Sequence, residues 1–129
     1  MTTYMLLFRD APPAVYEAMT PGQRTAALDD WNAWYDSIAS RGVMHSAHPL
    51  ESPVRIVSGP RGEQVLDGPF AEAKELIAGY FMFTAEDLDE VTVIAQQCPN
   101  LKHGMTVEVR EVAGGCHLAK SLGRKGMHE

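Results

Sequence analysis

The sequence predicts an α+β domain: an antiparallel sheet in the order βαββαβ, with one β-hairpin inserted and the helices on one face. Three features carry that expectation. Short apolar runs closed by turn residues recur along the chain, as strands require. Two other segments repeat apolar residues at spacings of three and four behind helix-capping signals. The last run, Met105 to Arg110, alternates between apolar and polar side chains. At 129 residues, with 45% apolar and 22% charged side chains, the chain fits one globular domain rather than two or a disordered segment.

Tyr4 to Phe8 is a compact apolar run stopped by Ala11-Pro12-Pro13, which reads as a buried first strand. Val15 to Met19 adds a short helical turn. Thr20-Pro21-Gly22-Gln23 is a capping box: Thr20 caps, Pro21 takes the first helical position and Gln23 reaches back. Leu28, Trp31, Trp34, Tyr35 and Ile38 then make one apolar stripe, and Gly42 supplies a left-handed end to the helix. Val43 to Leu50 is the second strand. Val54 to Ser58 and Glu63 to Asp67 flank Gly59-Pro60-Arg61-Gly62 and form the inserted hairpin.

Asp67-Gly68-Pro69-Phe70 is a dense turn signal, since Asp bonds to the backbone ahead, Gly permits positive φ and Pro presets the next φ. Ala71 to Glu75 is polar and reads as one helical turn. Leu76 to Phe83 is the strongest strand, with Ile77, Phe81 and Phe83 on one face and Leu76, Ala78, Tyr80 and Met82 on the other. Thr84 is the expected cap of a second helix whose stripe is Leu88, Val91, Ile94, Ala95 and Cys98, with Pro99 beyond its end. Setting the hairpin aside, this order is the split βαβ, or ferredoxin-like, pattern.

Residues 1–112 form the expected domain and hold 8 Lys and Arg against 16 Asp and Glu. Residues 113–129, opening on Ala113-Gly114-Gly115, read as a flexible basic tail. The net charge of −6 argues against nucleic acid or an anionic membrane as partner. No segment is long and apolar enough to span a membrane, and the N-terminal run lacks the basic flank of a signal peptide. Cys98 and Cys116 form neither a CxxC pair nor a disulfide framework, so free thiols in a cytoplasmic setting are expected.

Two helices cover only one face of such a sheet, yet Tyr4 to Phe8 and Ile77 to Phe83 are apolar on both faces. An identical second sheet is the expected cover, making the chain its own partner in a homodimer. The alternative cover is the hairpin and tail of the same chain.

Candidate chemistry is sparse. His45 and His48 lie three apart on a strand, so they are expected on opposite faces and not on one metal. A single histidine, His45, is the candidate proton carrier. Asp10 after the first strand and Asp67 before a tight turn are candidate general bases or orienting carboxylates. Arg9 is the candidate for holding an anionic substrate group. For each of these an ordinary role in strand or turn competes with the catalytic one. Trp31, Trp34 and Tyr35 read as packing, Cys98 as inert, and no Gly-rich nucleotide fingerprint occurs, so neither cofactor nor metal is expected.

Leu66-Asp67-Gly68-Pro69-Phe70-Ala71-Glu72-Ala73-Lys74-Glu75, followed by Ala78-Gly79-Tyr80-Phe81, resembles the signature of the DGPF branch of the YCII-related family. Tyr4 to Phe8 with Asp10, Asp87-Leu88-Asp89-Glu90, Cys98-Pro99 and Val107 to Arg110 are similar to it as well, over residues 3–112. The resemblance implies a dimeric ferredoxin-like α+β barrel. It also implies kinship with isomerases, dehalogenating lyases and monooxygenases that act on small molecules without an organic cofactor. In some members it implies a His–Asp pair beside the sheet, with the histidine on the first long helix. That helix carries no histidine here, so Asp10 matches by position and His45 stands in from the neighbouring strand.

Two functions follow as expectations. One is a cofactor-independent isomerase, lyase or dehalogenase on a small organic ligand, with a pocket joining His45, Asp10 or Asp67, and Arg9. The other is a non-catalytic binding or regulatory module, such as a sigma-factor partner, with a shallow surface and no pocket.

Overall fold

A computed structural model of the chain describes residues 1–68 and 76–126. Its elements are β1 (Thr2–Arg9), α1 (Pro13–Glu17), α2 (Pro21–Ala39), β2 (Met44–Pro49), β3 (Arg55–Ser58), β4 (Gln64–Asp67), β5 (Gly79–Ala85), α3 (Leu88–Gln96), β6 (Thr106–Glu111) and α4 (His117–Ser121). A 3-10 turn, Pro99–His103, joins α3 to β6. The turn from Pro69 and the helical turn expected at Ala71 to Glu75 lie outside the described residues.

Four strands make one sheet in the order β2-β5-β1-β6, and each neighbouring pair is antiparallel. The α+β fold with its ferredoxin-like order is thus the one the periodicities predict. β3 and β4 pair only with each other, Ile56 opposite Leu66 and Val57 opposite Val65.

Alternation along the central strands divides the layers. Tyr4, Leu6 and Phe8 of β1 and Phe81, Phe83 and Ala85 of β5 are buried, and they cluster with Trp34 and Ile38 of α2 and Val91, Ile94 and Ala95 of α3. The Trp34 indole also donates to the Ile94 carbonyl at 3.1 Å, which ties the two helices together inside the core. The in-between residues Met5, Leu7, Tyr80 and Met82 are half-buried on the opposite face.

The capping box of α2 forms as its sequence requires: Gln23 N–H donates to Thr20 Oγ1 at 3.1 Å, and Thr20 N–H donates to Gln23 Oε1 at 2.9 Å. Elsewhere three details differ from expectation. The stripe of α2 buries Trp34 and Ile38, but Leu28 at its N-terminal end is exposed. Strand β5 starts at Gly79 rather than Leu76. Its last residues include Thr84, so the cap of α3 is Asp87, whose carboxylate accepts from Glu90 N–H at 2.9 Å. Thr84 is held in the strand because its N–H donates to the Val43 carbonyl at 3.1 Å. Beyond β6 the tail contains α4, with Ala119 buried and Leu118 and Leu122 exposed. Among the described residues no helix is long and apolar enough to cross a membrane.

Candidate active site

The sheet and α2 part company at one end, where β1 leaves the sheet, β2 finishes and β5 begins. Two backbone bonds hold that end together: Ala78 N–H to the Phe8 carbonyl at 2.7 Å, and Leu50 N–H to the Ala78 carbonyl at 2.8 Å. Gly79 is required here. A β-carbon on it would meet the His48 carbonyl oxygen at 3.0 Å and the Pro49 α-carbon at 3.2 Å, and backbone yields poorly.

The space left is a cleft of about 370 Å³. Phe8 and Phe81 line it from the sheet, Met105 from just before β6, Trp31, Asn32 and Tyr35 from α2, Asn100 from the 3-10 turn, and Asp10 and His48 from the strand ends. The aromatic rings brace one another, with Phe8 4.8 Å from Phe81, Trp31 5.1 Å from Phe8 and Tyr35 5.4 Å from Phe81. These near-perpendicular contacts make a rigid apolar wall. Behind Met105 the Cys98 thiol donates to its sulfur at 3.8 Å, and burial pushes that thiol above its ordinary pKa, so it stays protonated.

Asp10 is the ionisable group at the inner end. Its Oδ1 accepts from the Tyr16 hydroxyl at 2.5 Å and from Ala11 N–H at 2.8 Å. Asn100 Nδ2 donates to the same Tyr16 oxygen at 3.4 Å, while its own Oδ1 is buried with no partner among the described residues. No three His, Cys, Asp or Glu side chains among the described residues converge on a point that could hold a metal.

A family model for the YCII-related domain matches residues 2–114. The chain belongs to the YCII-related family. No curated protein matches the sequence. Among solved structures, this YCII-related domain is similar to 5-chloro-2-hydroxyhydroquinone dehydrochlorinase (TftG) from Burkholderia phenoliruptrix AC1100, in complex with 2,5-dihydroxybenzoquinone. The two share 15% sequence identity with a TM-score of 0.52, over 88% of this chain and 95% of that one. At that identity the likeness establishes the shared fold.

In this YCII-related domain the residues singled out from sequence do not meet. Asp10 lines the cleft. His45 does not: it is exposed beside a bulge between Met44 and Ser46, and its Nε2 lies 3.2 Å from Thr84 Oγ1. Arg9 points to the face away from the helices, where it donates to Glu108 at 2.9 Å. Arg9 and Arg110 together hold the Glu108 carboxyl below its ordinary pKa. Asp67 sits on the exposed hairpin, paired with Arg55 at 2.8 Å. The expected constellation is therefore corrected. His48 borders the cleft at the end of the edge strand, but its register opposite Tyr80 sets its ring beside that tyrosine, 6.0 Å away, on the face away from the helices. Tyr16 and Asn100 were not legible as site residues, because a tyrosine in a one-turn helix and an asparagine after a proline carry no periodic signal.

The bond between Tyr16 and Asp10 has a pH consequence. Burial first, and the Asp10 contact second, raise the Tyr16 hydroxyl above its ordinary 10.0. A folded-state value above the unfolded one favours the protonated native form. The stabilisation is therefore complete below about pH 10 and is lost as pH climbs from there towards the folded value. The urea midpoint of wild type is expected to fall more steeply above pH 10 than that of Tyr16→Phe; parallel curves for the two proteins would refute the assignment.

Proposed function

We propose that this YCII-related protein is a cofactor-independent enzyme acting on a small, planar organic substrate in the cleft between α2 and the sheet. The reaction class is proton transfer leading to isomerisation or elimination, dehalogenation included. The single observation that carries this reading is that the Asp10 carboxylate opens on an aromatic-walled cleft. Both hydrogen bonds to Asp10 land on Oδ1, which leaves Oδ2 as the oxygen available to a substrate. A carboxylate on such a cavity can take a proton from one atom of a ring and return it at another. Phe8, Trp31, Tyr35 and Phe81 supply the flat apolar surfaces that hold such a ring. The related fold of TftG, a dehydrochlorinase complexed with a hydroxylated quinone, agrees with a substrate of this size and shape. A binding module with a shallow surface would need no cleft of this depth. The acidic charge and the two free cysteines fit a cytoplasmic setting.

A thermal-shift screen of small hydroxylated quinones, phenols and lactones tests the reading. Compounds that enter the cleft raise the melting midpoint of wild type by linkage and lose that effect in Trp31→Ala. A screen in which no planar ring compound shifts wild type would defeat the proposal.

The working unit is a homodimer joined through the face opposite the helices. Met5, Leu7, Tyr80 and Met82 sit together on that face, and such a contiguous apolar surface is uncommon on a monomer. Light scattering is expected to return twice the chain mass for wild type. Leu7→Glu, which places a charge at the centre of the face, is expected to return the single chain mass. A wild-type monomer at micromolar concentration would rule the dimer out.

A further inference from the structure

We infer that the substrate carries an acidic substituent and that Arg24 recognises it; the inference rests on the cleft reading above and specifies its substrate class. A second compartment, of about 310 Å³, lies against the first, and Asp10, Trp31 and Asn100 line both. Its remaining wall is one face of α2, Arg24, Ala27 and Leu28, together with Tyr16. A ring held against Trp31 in the first compartment therefore has room to project a substituent into the second.

Arg24 is the cation of that compartment, whose other charged residue is Asp10. Arg9, Arg41, Arg55 and Arg110 are each ion-paired, whereas Arg24, like Arg61 and Arg124, has no ion-pair or side-chain hydrogen-bond partner among the described residues, and Arg24 is the one of these three that lines this compartment. The positions three and four ahead of it on α2 are Ala27 and Leu28, so no carboxylate supports it along the helix. It also lies just inside the N-terminal end of α2, where the helix dipole disfavours a cation. A charged group kept at that cost beside a cavity, in a chain with an excess of acids, is placed to meet an anion from solution. The apolar side chains of Ala27, Leu28 and Trp31 restrict the anion to one borne on a hydrocarbon or ring, and the planar guanidinium fits a carboxylate through two parallel bonds.

The test compares 2,5-dihydroxybenzoate with its carboxamide, 2,5-dihydroxybenzamide, by isothermal titration on wild type, Arg24→Gln and Arg24→Lys. Wild type is expected to bind the acid about tenfold or more tightly than the amide, the size of a charge-assisted hydrogen bond. Arg24→Gln is expected to bind both with the affinity of the amide, and Arg24→Lys to retain part of the preference. Because the Arg24 side chain is exposed and has no ion-pair or hydrogen-bond partner among the described residues, its replacement leaves the melting midpoint near that of wild type. Equal affinities of acid and amide for wild type, or a preference that survives in Arg24→Gln, would overturn the role of Arg24 while leaving the cleft reading intact. If neither compound binds wild type, this inference fails, and the cleft reading stands or falls with the wider screen of ring compounds.

Discussion

Phe83→Ala is expected to cost about 3–5 kcal/mol of folding stability. Phe83 is fully buried at the middle of β5, paired with Tyr4 of β1 on one side and Met44 of β2 on the other. Both neighbours are held by ladder hydrogen bonds, so the strands cannot close over the space a lost ring leaves. The cost is therefore the transfer term plus most of the cavity term. Against a total of about 5–15 kcal/mol for a domain of this kind, that loss leaves little folded protein at physiological temperature. The effect depends on the face as well as on the strand. Met82→Ala, one residue away, removes a half-buried side chain from the other side of the sheet and should move the urea midpoint of the monomer much less. If the two variants unfold at the same urea concentration, the assignment of the two faces is wrong.

Asp10→Asn is expected to lower turnover by about 10²–10⁴-fold on whichever ring compound the screen identifies. The asparagine keeps an oxygen where Oδ1 accepts from Ala11 N–H and the Tyr16 hydroxyl, so the local structure survives and only the charge and basicity go. Asp10→Ala removes both bonds and leaves the partly buried Tyr16 hydroxyl without its acceptor, adding a stability loss of about 1–3 kcal/mol. A catalytic carboxylate predicts that the two variants are equally inactive but unequally stable. A purely structural Asp10 predicts that Asp10→Asn turns over normally, and that result would remove it from the mechanism.

Much of the fold was legible because the signals that specify it are short-range. Thr20, Pro21 and Gln23 announce the start of α2 within four residues, and the three-and-four spacing of Trp31, Trp34 and Ile38 marks the face it buries. Where a local signal was ambiguous, long-range pairing decided. Thr84 followed by acids resembles a helix cap, yet its backbone is drawn into the sheet by Val43, forty-one residues earlier, and Asp87 caps α3 instead.

The site was much less legible. Asp10 could be found because the position just past the first strand of such a sheet opens on the layer between sheet and helix. His45 was the candidate the sequence offered, but a bulge between Met44 and Ser46 breaks the simple alternation of side chains and leaves it exposed beside Thr84. Arg9 and Asp67 looked like free charges in the sequence; in three dimensions Glu108 and Arg55 engage them, from ninety-nine and twelve positions away.

The sequence alone therefore determined the sheet strands, the two long helices, their order and the faces they bury, though not α4 in the tail, because periodicity, capping and turn chemistry act between residues a few positions apart. Only the tertiary structure decided which side chains share the cleft. Asp10, Trp31, Phe81 and Asn100 lie on four separate segments and share it through strand register and the approach of two chain backbones at Gly79, none of which a local pattern encodes.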